Sequence, residues 1–299
     1  VSAPARAAVI GSPIAHSLSP ALHRAAYSHL GINADYTAIE VTESAFGAFL
    51  ESLRTDRERR WLGLSVTMPL KRVAAQRADW LDENTRLIGV ANTLMFDGDA
   101  SSPNAGTIRA HNFDIHGIVR SLEHVGVKKV DSCLILGGGG TALAALAAAH
   151  RLGASSIELA LRDVAKATEL TDLAARLGTS LTVSPLTPDI LATHSRGEPG
   201  PKSGGHAVVL STLPARAADP LSHHVPELPG VLLDVAYDPW PSELARAFAQ
   251  AGGSVVSGKE MLLYQAIEQV RVFGRLDGAV PASAINAMCD AIGIPRREG

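Results

Sequence analysis

Lys71, Asn92, Asn112 and Asp114 give the first part of this chain a lysine, two amides and a carboxylate, the set needed to hold a polyol and move a proton at one of its oxygens. A carboxylate close to an ammonium keeps the lysine charged and oriented. Taken alone, a lysine just past the strand-end Pro69 is equally a solvated cation. Upstream, Ser17 and Ser19 stand on alternate residues at the start of a helix-like run, where two hydroxyls can point into one crevice and donate to an anion. The same spacing also suits plain N-capping by a serine. Farther on, Gly137, Gly138, Gly139 and Gly140 follow the apolar Leu134, Ile135 and Leu136 and lead into Thr141, Ala142 and an alanine-rich run. Strand, glycines and helix in that order suit either a nucleotide pyrophosphate, cradled by backbone N–H groups at the helix start, or a merely tight strand-helix turn. Ala142 takes the third position of the G-x-G-x-x-G spacing, where a small alternative is allowed.

Alternating strand-like and helix-like patterns must position these residues, and they predict an α/β architecture with mainly parallel sheets. Strands are expected at Ala7–Ile10, Tyr36–Val41 and Leu62–Thr67, with a helix from Pro20, favoured in a first turn, to Leu30, stopped by Gly31. The next helix carries Lys71 near its start. Leu94–Phe96 and Gly106–Arg109 read as a hairpin across a polar loop at 97–105, and Asp114–Val125 as a helix. A second βαβ series follows through Ser156–Leu161, Leu181–Val183, Ala207–Ser211 and Val231–Val235. The stretch 194–206, rich in Gly, Pro and Ser, reads as a surface loop. From Met261 onward the pattern is helical. The long stretch before the glycine turn needs its own role, and substrate holding is the simplest.

At 299 residues, with 46% apolar and 19% charged residues, the chain fits a two-domain globular enzyme. A formal net charge of −3 without basic runs argues against nucleic acid as partner and for a small molecule. Its two cysteines, Cys133 and Cys289, lie in apolar segments far from metal-ligand neighbours, which suits a reducing, cytoplasmic setting and no bound metal. No apolar stretch is long enough to predict a membrane span.

Seven blocks spread along the chain together resemble the shikimate dehydrogenase family: GSPIAHSLSP, SVTMPLK, IGVANTL, HNFDIHG, LGGGGTA, DVAYDPWP and SGKEMLLYQA. The resemblance implies an N-terminal α/β substrate-binding domain (1–114, joined by 260–299 as C-terminal helices return to it) and a Rossmann-like dinucleotide-binding domain (115–259). It implies that Lys71 and Asp114 are the catalytic pair, and that Ser17 and Ser19 hold a substrate carboxylate. Thr67, Asn92 and Gln265 would bind hydroxyls, Tyr237 would face the ligand, and Ser65, standing where many members have asparagine, would offer its hydroxyl. Gly137, Gly138, Gly139, Gly140 and Thr141 would cradle the pyrophosphate, with Gly258 and Met261 beside the nicotinamide.

Two departures bear on the ligands. Phe113 stands where the family usually has threonine, facing either the pocket or the core. Leu161, Arg162 and Asp163 replace an Asn-Arg-Ser/Thr stretch that grips the 2′-phosphate of NADP. Arg162, helped by Lys166, still suits that phosphate, whereas Asp163 suits the free ribose hydroxyl of NAD or pairs with Arg162. The resemblance therefore implies an NADP-dependent shikimate dehydrogenase, monomeric or homodimeric. The alternatives are an NAD-dependent quinate/shikimate dehydrogenase and a non-catalytic dinucleotide-binding relative.

Overall fold

The computed structural model of the chain describes residues 3–55, 60–96, 106–194 and 206–297. The chain divides into two compact units, one running to Phe113 and resuming at Leu262, the other spanning Asp114–Met261. The first opens with β1 (Ala5–Gly11), α1 (Ser19–Leu30), β2 (Ala34–Glu40), α2 (Glu43–Thr55), β3 (Trp61–Val66) and α3 (Lys71–Gln76). It continues with β4 (Trp80–Leu81), α4 (Glu83–Ile88), β5 (Thr93–Phe96) and β6 (Ile108–His111). The second unit carries α5 (Asp114–His124), β7 (Val130–Leu136), α6 (Gly140–Arg151), β8 (Ser156–Leu161), α7 (Thr168–Leu177) and β9 (Ser180–Pro185). Then come α8 (Ile190–His194), β10 (His206–Ser211), β11 (Val231–Asp234), α9 (Glu243–Gln250) and β12 (Ser254–Ser257). The unit boundary falls inside α10 (Gly258–Phe273), and α11 (Ala282–Ile292) completes the first unit.

Along β1, Ala5, Ala7 and Val9 face a cluster with Leu22 and Tyr27 of α1, Leu263, Val270 and Phe273 of α10 and Met288 of α11. Ala8 and Ile10 face the other way, toward Phe46 and Leu50 of α2 and Ala74 of α3. This period-2 alternation with both faces covered places the strand in mid-sheet. Each fully buried Leu or Phe adds about 1.5–3 kcal/mol of burial free energy, so the two clusters hold the sheet between its helices. The order of the sheet is β2-β1-β3-β5-β6-β4. β1 pairs in parallel with β2 and β3, and β4 with β6, while β5 runs antiparallel to both β3 and β6, so this sheet is parallel-rich, as expected, with one reversed strand. The hairpin accounts for the antiparallel pair of β5 and β6, since two strands joined by a short connection pair antiparallel, and leaves β6 running parallel to β4.

The sheet of the second unit is wholly parallel, in the order β12-β11-β10-β7-β8-β9. Numbered within the unit, this is the doubly wound 3-2-1-4-5-6 order, whose reversal lies between β7 and β10. Pro20 lies in the first turn of α1 and Gly31 ends it at φ 66°, as the punctuation predicts. The N-cap of that helix is Leu18, which makes no side-chain cap, while the Ser17 side chain accepts from the first-turn N–H of Ser19. The C-terminal helical run is broken between α10 and α11, and the short β4, α4, α8 and β12 have too few residues to show a period. The loops expected at 97–105 and across 194–206 fall largely outside the described residues.

Candidate active site

In the first unit, strand direction brings four distant segments to one end of the sheet. β1 and β3 end there, β5 begins there and β6 ends there, because β5 opposes both neighbours with Ser65 facing Thr93 and Thr93 facing His111. Backbone hydrogen bonds fasten the segments together beyond the strands. Ser12 N–H donates to Met68 O at 3.0 Å, Thr67 N–H to Ile10 O at 2.9 Å, Ala91 N–H to Lys71 O at 2.8 Å and Asn92 N–H to His111 O at 3.1 Å. Gly11 is required at this junction, since a Cβ there would overlap the Thr67 methyl and the Met68 carbonyl. Lys71, half-buried, opens α3 directly behind Thr67. Asp114, buried, opens α5 one residue beyond Phe113.

Asn92 is 2% exposed and is oriented from several sides. Its Oδ1 accepts from Phe113 N–H at 2.9 Å and from the Thr93 hydroxyl at 2.8 Å. A backbone N–H can only donate, so the atom facing Phe113 must be oxygen and Nδ2 must point the other way. Nδ2 donates to Gln265 Oε1 at 3.2 Å, and Gln265 Nε2 donates in turn to Leu262 O at 2.9 Å. Two of the expected hydroxyl-binding amides therefore form a pair. Asn112, fully buried, donates through Nδ2 to Val90 O, and so braces the turn before β5.

The hydroxyl expected at Ser65 to serve a ligand is committed inside the fold. Ser65 is 4% exposed, accepts from the Tyr36 phenol at 2.6 Å and donates to Gln269 Oε1 at 2.7 Å. Ser19, also buried, gives its hydroxyl to Tyr36, while its N–H donates to Ser17 Oγ at 3.3 Å. Burial pushes the Tyr36 phenol well above its ordinary pKa, against the lowering effect of the Ser65 and Ser19 hydrogen bonds, so it stays a neutral donor. His23 stacks on Tyr36 with ring centroids 4.0 Å apart. Desolvation drives the His23 pKa from 6.5 down to about 3, with a hydrogen bond to Gln269 opposing the shift, so this imidazole is neutral. Tyr36, Thr93 and Gln269 are members of this network that the sequence reading misses. One signal was available: Gln265 and Gln269 are four residues apart on α10, hence on one helix face.

Phe113 is 8% exposed, with its ring stacked 5.5 Å from that of His111 at 12°, which favours its core-facing alternative. His111 Nδ1 lies 3.5 Å from Asp82 Oδ2. Burial alone would raise the Asp82 pKa, but hydrogen bonds from His111 and Thr85 outweigh it and hold the carboxyl below its ordinary range.

In the second unit the glycine turn leaves β7 at the point where the strand order reverses. Gly137 has φ +102°, and a Cβ there would stand 2.7 Å from Thr212 Oγ1, just past β10. Thr212 is anchored by its N–H and hydroxyl, both donating to Leu136 O. Gly138 and Gly139 are exposed, and Gly139, the N-cap of the twelve-residue α6, makes no side-chain cap hydrogen bond. Gly140 and Thr141 form the first turn. Such a bare turn with outward N–H groups fits a pyrophosphate. Arg162, exposed, follows β8. Asp163 turns to Ala165 N–H at 3.2 Å and toward Lys166 Nζ at 3.8 Å, capping the short helix after it rather than pairing with Arg162. Tyr237, half-buried, follows β11. A Cβ at Gly258 would run into the Val235 carbonyl, so α10 can begin against that strand only with glycine there; Met261, one turn on, is buried. Among the described residues no group of three or more His, Cys, Asp or Glu is placed to hold a metal ion, and no helix is long and apolar enough to cross a membrane.

Residues 9–94 match the family described as shikimate dehydrogenase substrate binding domain. The shikimate dehydrogenase (NADP(+)) of Rubrobacter xylanophilus is 33% identical over 279 residues, covering 92% of this chain and 92% of that protein. The crystal structure of Mycobacterium tuberculosis shikimate dehydrogenase has a TM-score of 0.79 at 37% identity, covering 97% of this chain and 99% of that one. A shikimate 5-dehydrogenase from Mycobacterium fortuitum gives 0.76 at 38% identity, covering 96% and 98%.

Proposed function

Since this chain belongs to the shikimate dehydrogenase family, we propose that it catalyses the reversible NADP-dependent reduction of 3-dehydroshikimate to shikimate, a step of aromatic amino-acid biosynthesis. The observation that carries this reading is the convergence of Ser17, Ser19, Thr67, Lys71 and Asn92 on one end of the first sheet. When bound, the nicotinamide accepts hydride from the carbinol carbon or returns it to the ketone. Lys71 takes the proton from the reacting oxygen in one direction and gives it back in the other. The Asp114 carboxylate orients the Lys71 ammonium.

Ser17 and Ser19 hold the substrate carboxylate, the Ser19 hydroxyl swinging from Tyr36 by rotation about one bond. Asn92 donates its second Nδ2 hydrogen to a ring hydroxyl, with Thr67 and Gln265 serving the others. This set grips a ring bearing several hydroxyls and one carboxylate, and bound orientation is a large part of what such a site contributes to rate. Gly137 to Thr141 hold the pyrophosphate, Arg162 and Lys166 the 2′-phosphate, Gly258 and Met261 border the nicotinamide, and Tyr237 faces the substrate. The buried Cys133 and Cys289, neither in a disulfide, suit a cytoplasmic protein, active as a monomer or homodimer.

The test mixes purified protein with shikimate and NADP+ or NAD+, with quinate in parallel, following the near-UV absorbance of the reduced nicotinamide. Turnover fastest with shikimate and NADP+ is expected. Turnover confined to quinate or NAD+ would overturn the assignment.

A further inference from the structure

Gln269 lies one helical turn beyond Gln265 on α10, is 1% exposed, and touches α1, β3 and β5 in the buried network beneath the candidate site. Its Nε2 donates to Asn92 O at 3.1 Å and to Thr93 Oγ1 at 2.9 Å. Its Oε1 accepts from Ser65 at 2.7 Å and faces His23 Nε2 at 3.3 Å. The orientation of this amide is not arbitrary. Asn92 O is a backbone carbonyl and can only accept, so the atom facing it is nitrogen and the opposite atom is oxygen. Every proton in the network then has one direction. Ser65 must donate to Gln269, Tyr36 must donate to Ser65, and Ser19 must donate to Tyr36. On the other side Gln269 donates to Thr93, leaving the Thr93 proton for Asn92 Oδ1. Neutral His23 must carry its proton on Nε2, so that Tyr27, 3.3 Å from Nδ1, donates to it.

We propose that Gln269 is the positioning residue of the substrate site: it sets the donor directions of the hydrogen bonds from Tyr36 through Ser65 to Thr93, holds the backbone carbonyl of Asn92, whose amide face the Phe113 N–H fixes, and removes Ser65 from substrate contact. This rests on the proposed shikimate dehydrogenase activity for its substrate but on the hydrogen-bond geometry for its substance. Ser65, short and buried, lacks the reach and the free proton to serve a ligand. Gln269 takes up the space and the donor beneath it, and the selectivity for a ring hydroxyl passes to Asn92. A group turned to offer a donor prefers a hydroxyl or carbonyl oxygen and disfavours a ligand donor at that position.

The test compares Gln269→Glu, Gln269→Met and Ser65→Ala with the unaltered protein, with thermal melting to verify folding. Gln269→Glu keeps the size and both acceptor contacts; buried, its carboxyl stays protonated near neutral pH and keeps one donor, and it loses both only when ionised. Its KM for shikimate is expected to rise at least tenfold as alkaline pH ionises the new carboxyl, with KM for NADP+ within twofold, and to fall back toward neutral pH as the donor returns. A purely structural role would not reproduce that pH dependence. Ser65→Ala cuts the Tyr36 end of the chain but leaves the Gln269 donors to Asn92 O and Thr93 in place, so its KM for shikimate is expected to rise less than that of ionised Gln269→Glu. A tenfold rise in Ser65→Ala with Gln269→Glu unchanged would overturn the proposal and return Ser65 to the ligand. A substrate-free readout separates this from the activity itself: the Asn92 side-chain amide protons, followed by NMR, should exchange slowly in the unaltered protein and at least tenfold faster in Gln269→Met. If shikimate is not turned over at all, the activity assignment fails and this exchange measurement alone decides the role of Gln269, equal rates in the two proteins refuting it.

Discussion

The two sheets of this protein build their candidate sites by opposite means. In the parallel sheet, five consecutive residues, Gly137 to Thr141, make a site from backbone, and what matters is the atoms that are missing. In the mixed sheet, Ser17, Ser19, Thr67, Lys71, Asn92 and Gln265 come from segments far apart in sequence, and what matters is the hydrogen bonds behind them. The comparison teaches how each fails. The backbone site is broken by adding a methyl group, and the side-chain site by removing a partner.

The largest expected effect falls on the side-chain site. Lys71→Ala should lower kcat by roughly 10²–10⁴-fold, the usual contribution of a positioned acid/base group, with KM for NADP+ within twofold. Steady-state kinetics with both substrates varied tests this, and a parallel collapse of NADP+ affinity would dissolve the division between the two sites. Gly137→Ala adds one methyl to the other. At φ +102°, with Thr212 Oγ1 where the Cβ would go, it should cost about 1–3 kcal/mol of stability and weaken NADPH binding by about tenfold or more. Fluorescence titration of NADPH measures the binding, and an undisturbed Kd would remove the glycine turn from the cofactor site.

A smaller effect sharpens the cofactor assignment. Arg162→Ala should raise KM for NADP+ about tenfold, the scale of one lost charge-assisted contact, and leave KM for NAD+ nearly unchanged. Equal changes for both would exclude a 2′-phosphate role.

The smallest concerns the buried histidine behind the substrate site. His23 resists protonation down to about pH 3 in the folded chain, whereas an unfolded histidine takes up its proton near 6.5. The unfolded state therefore binds more protons across that window, and stability falls as pH drops through it, by at most about 1.4 kcal/mol per pH unit. Urea unfolding between pH 7 and about 4 should show this slope, and His23→Gln should flatten it. An unchanged slope in the variant would assign the effect to carboxylates such as Asp82, whose lowered pKa gives the same sign at lower pH.

The amino-acid sequence by itself determined what depends on neighbours in the chain. The strand-glycine-helix turn, the helix that starts at Ser19 and Pro20 and stops at Gly31, and the strands of both units follow from φ preferences and from apolar periods of two and 3.6, which are local properties. The seven motif blocks likewise named the residues that face the ligands in the proposed function. Only the tertiary structure decided how β5 reverses direction in the first sheet, because strand pairing depends on the connection and on the partner's free edge. It alone decided the donor directions beneath the site. Ser65 and Gln269 are 204 positions apart, and which of them holds the shared proton is set by a third group, the backbone carbonyl of Asn92. A hydroxyl or an amide in a sequence is both donor and acceptor; it becomes one or the other only when folding puts a group of fixed polarity against it.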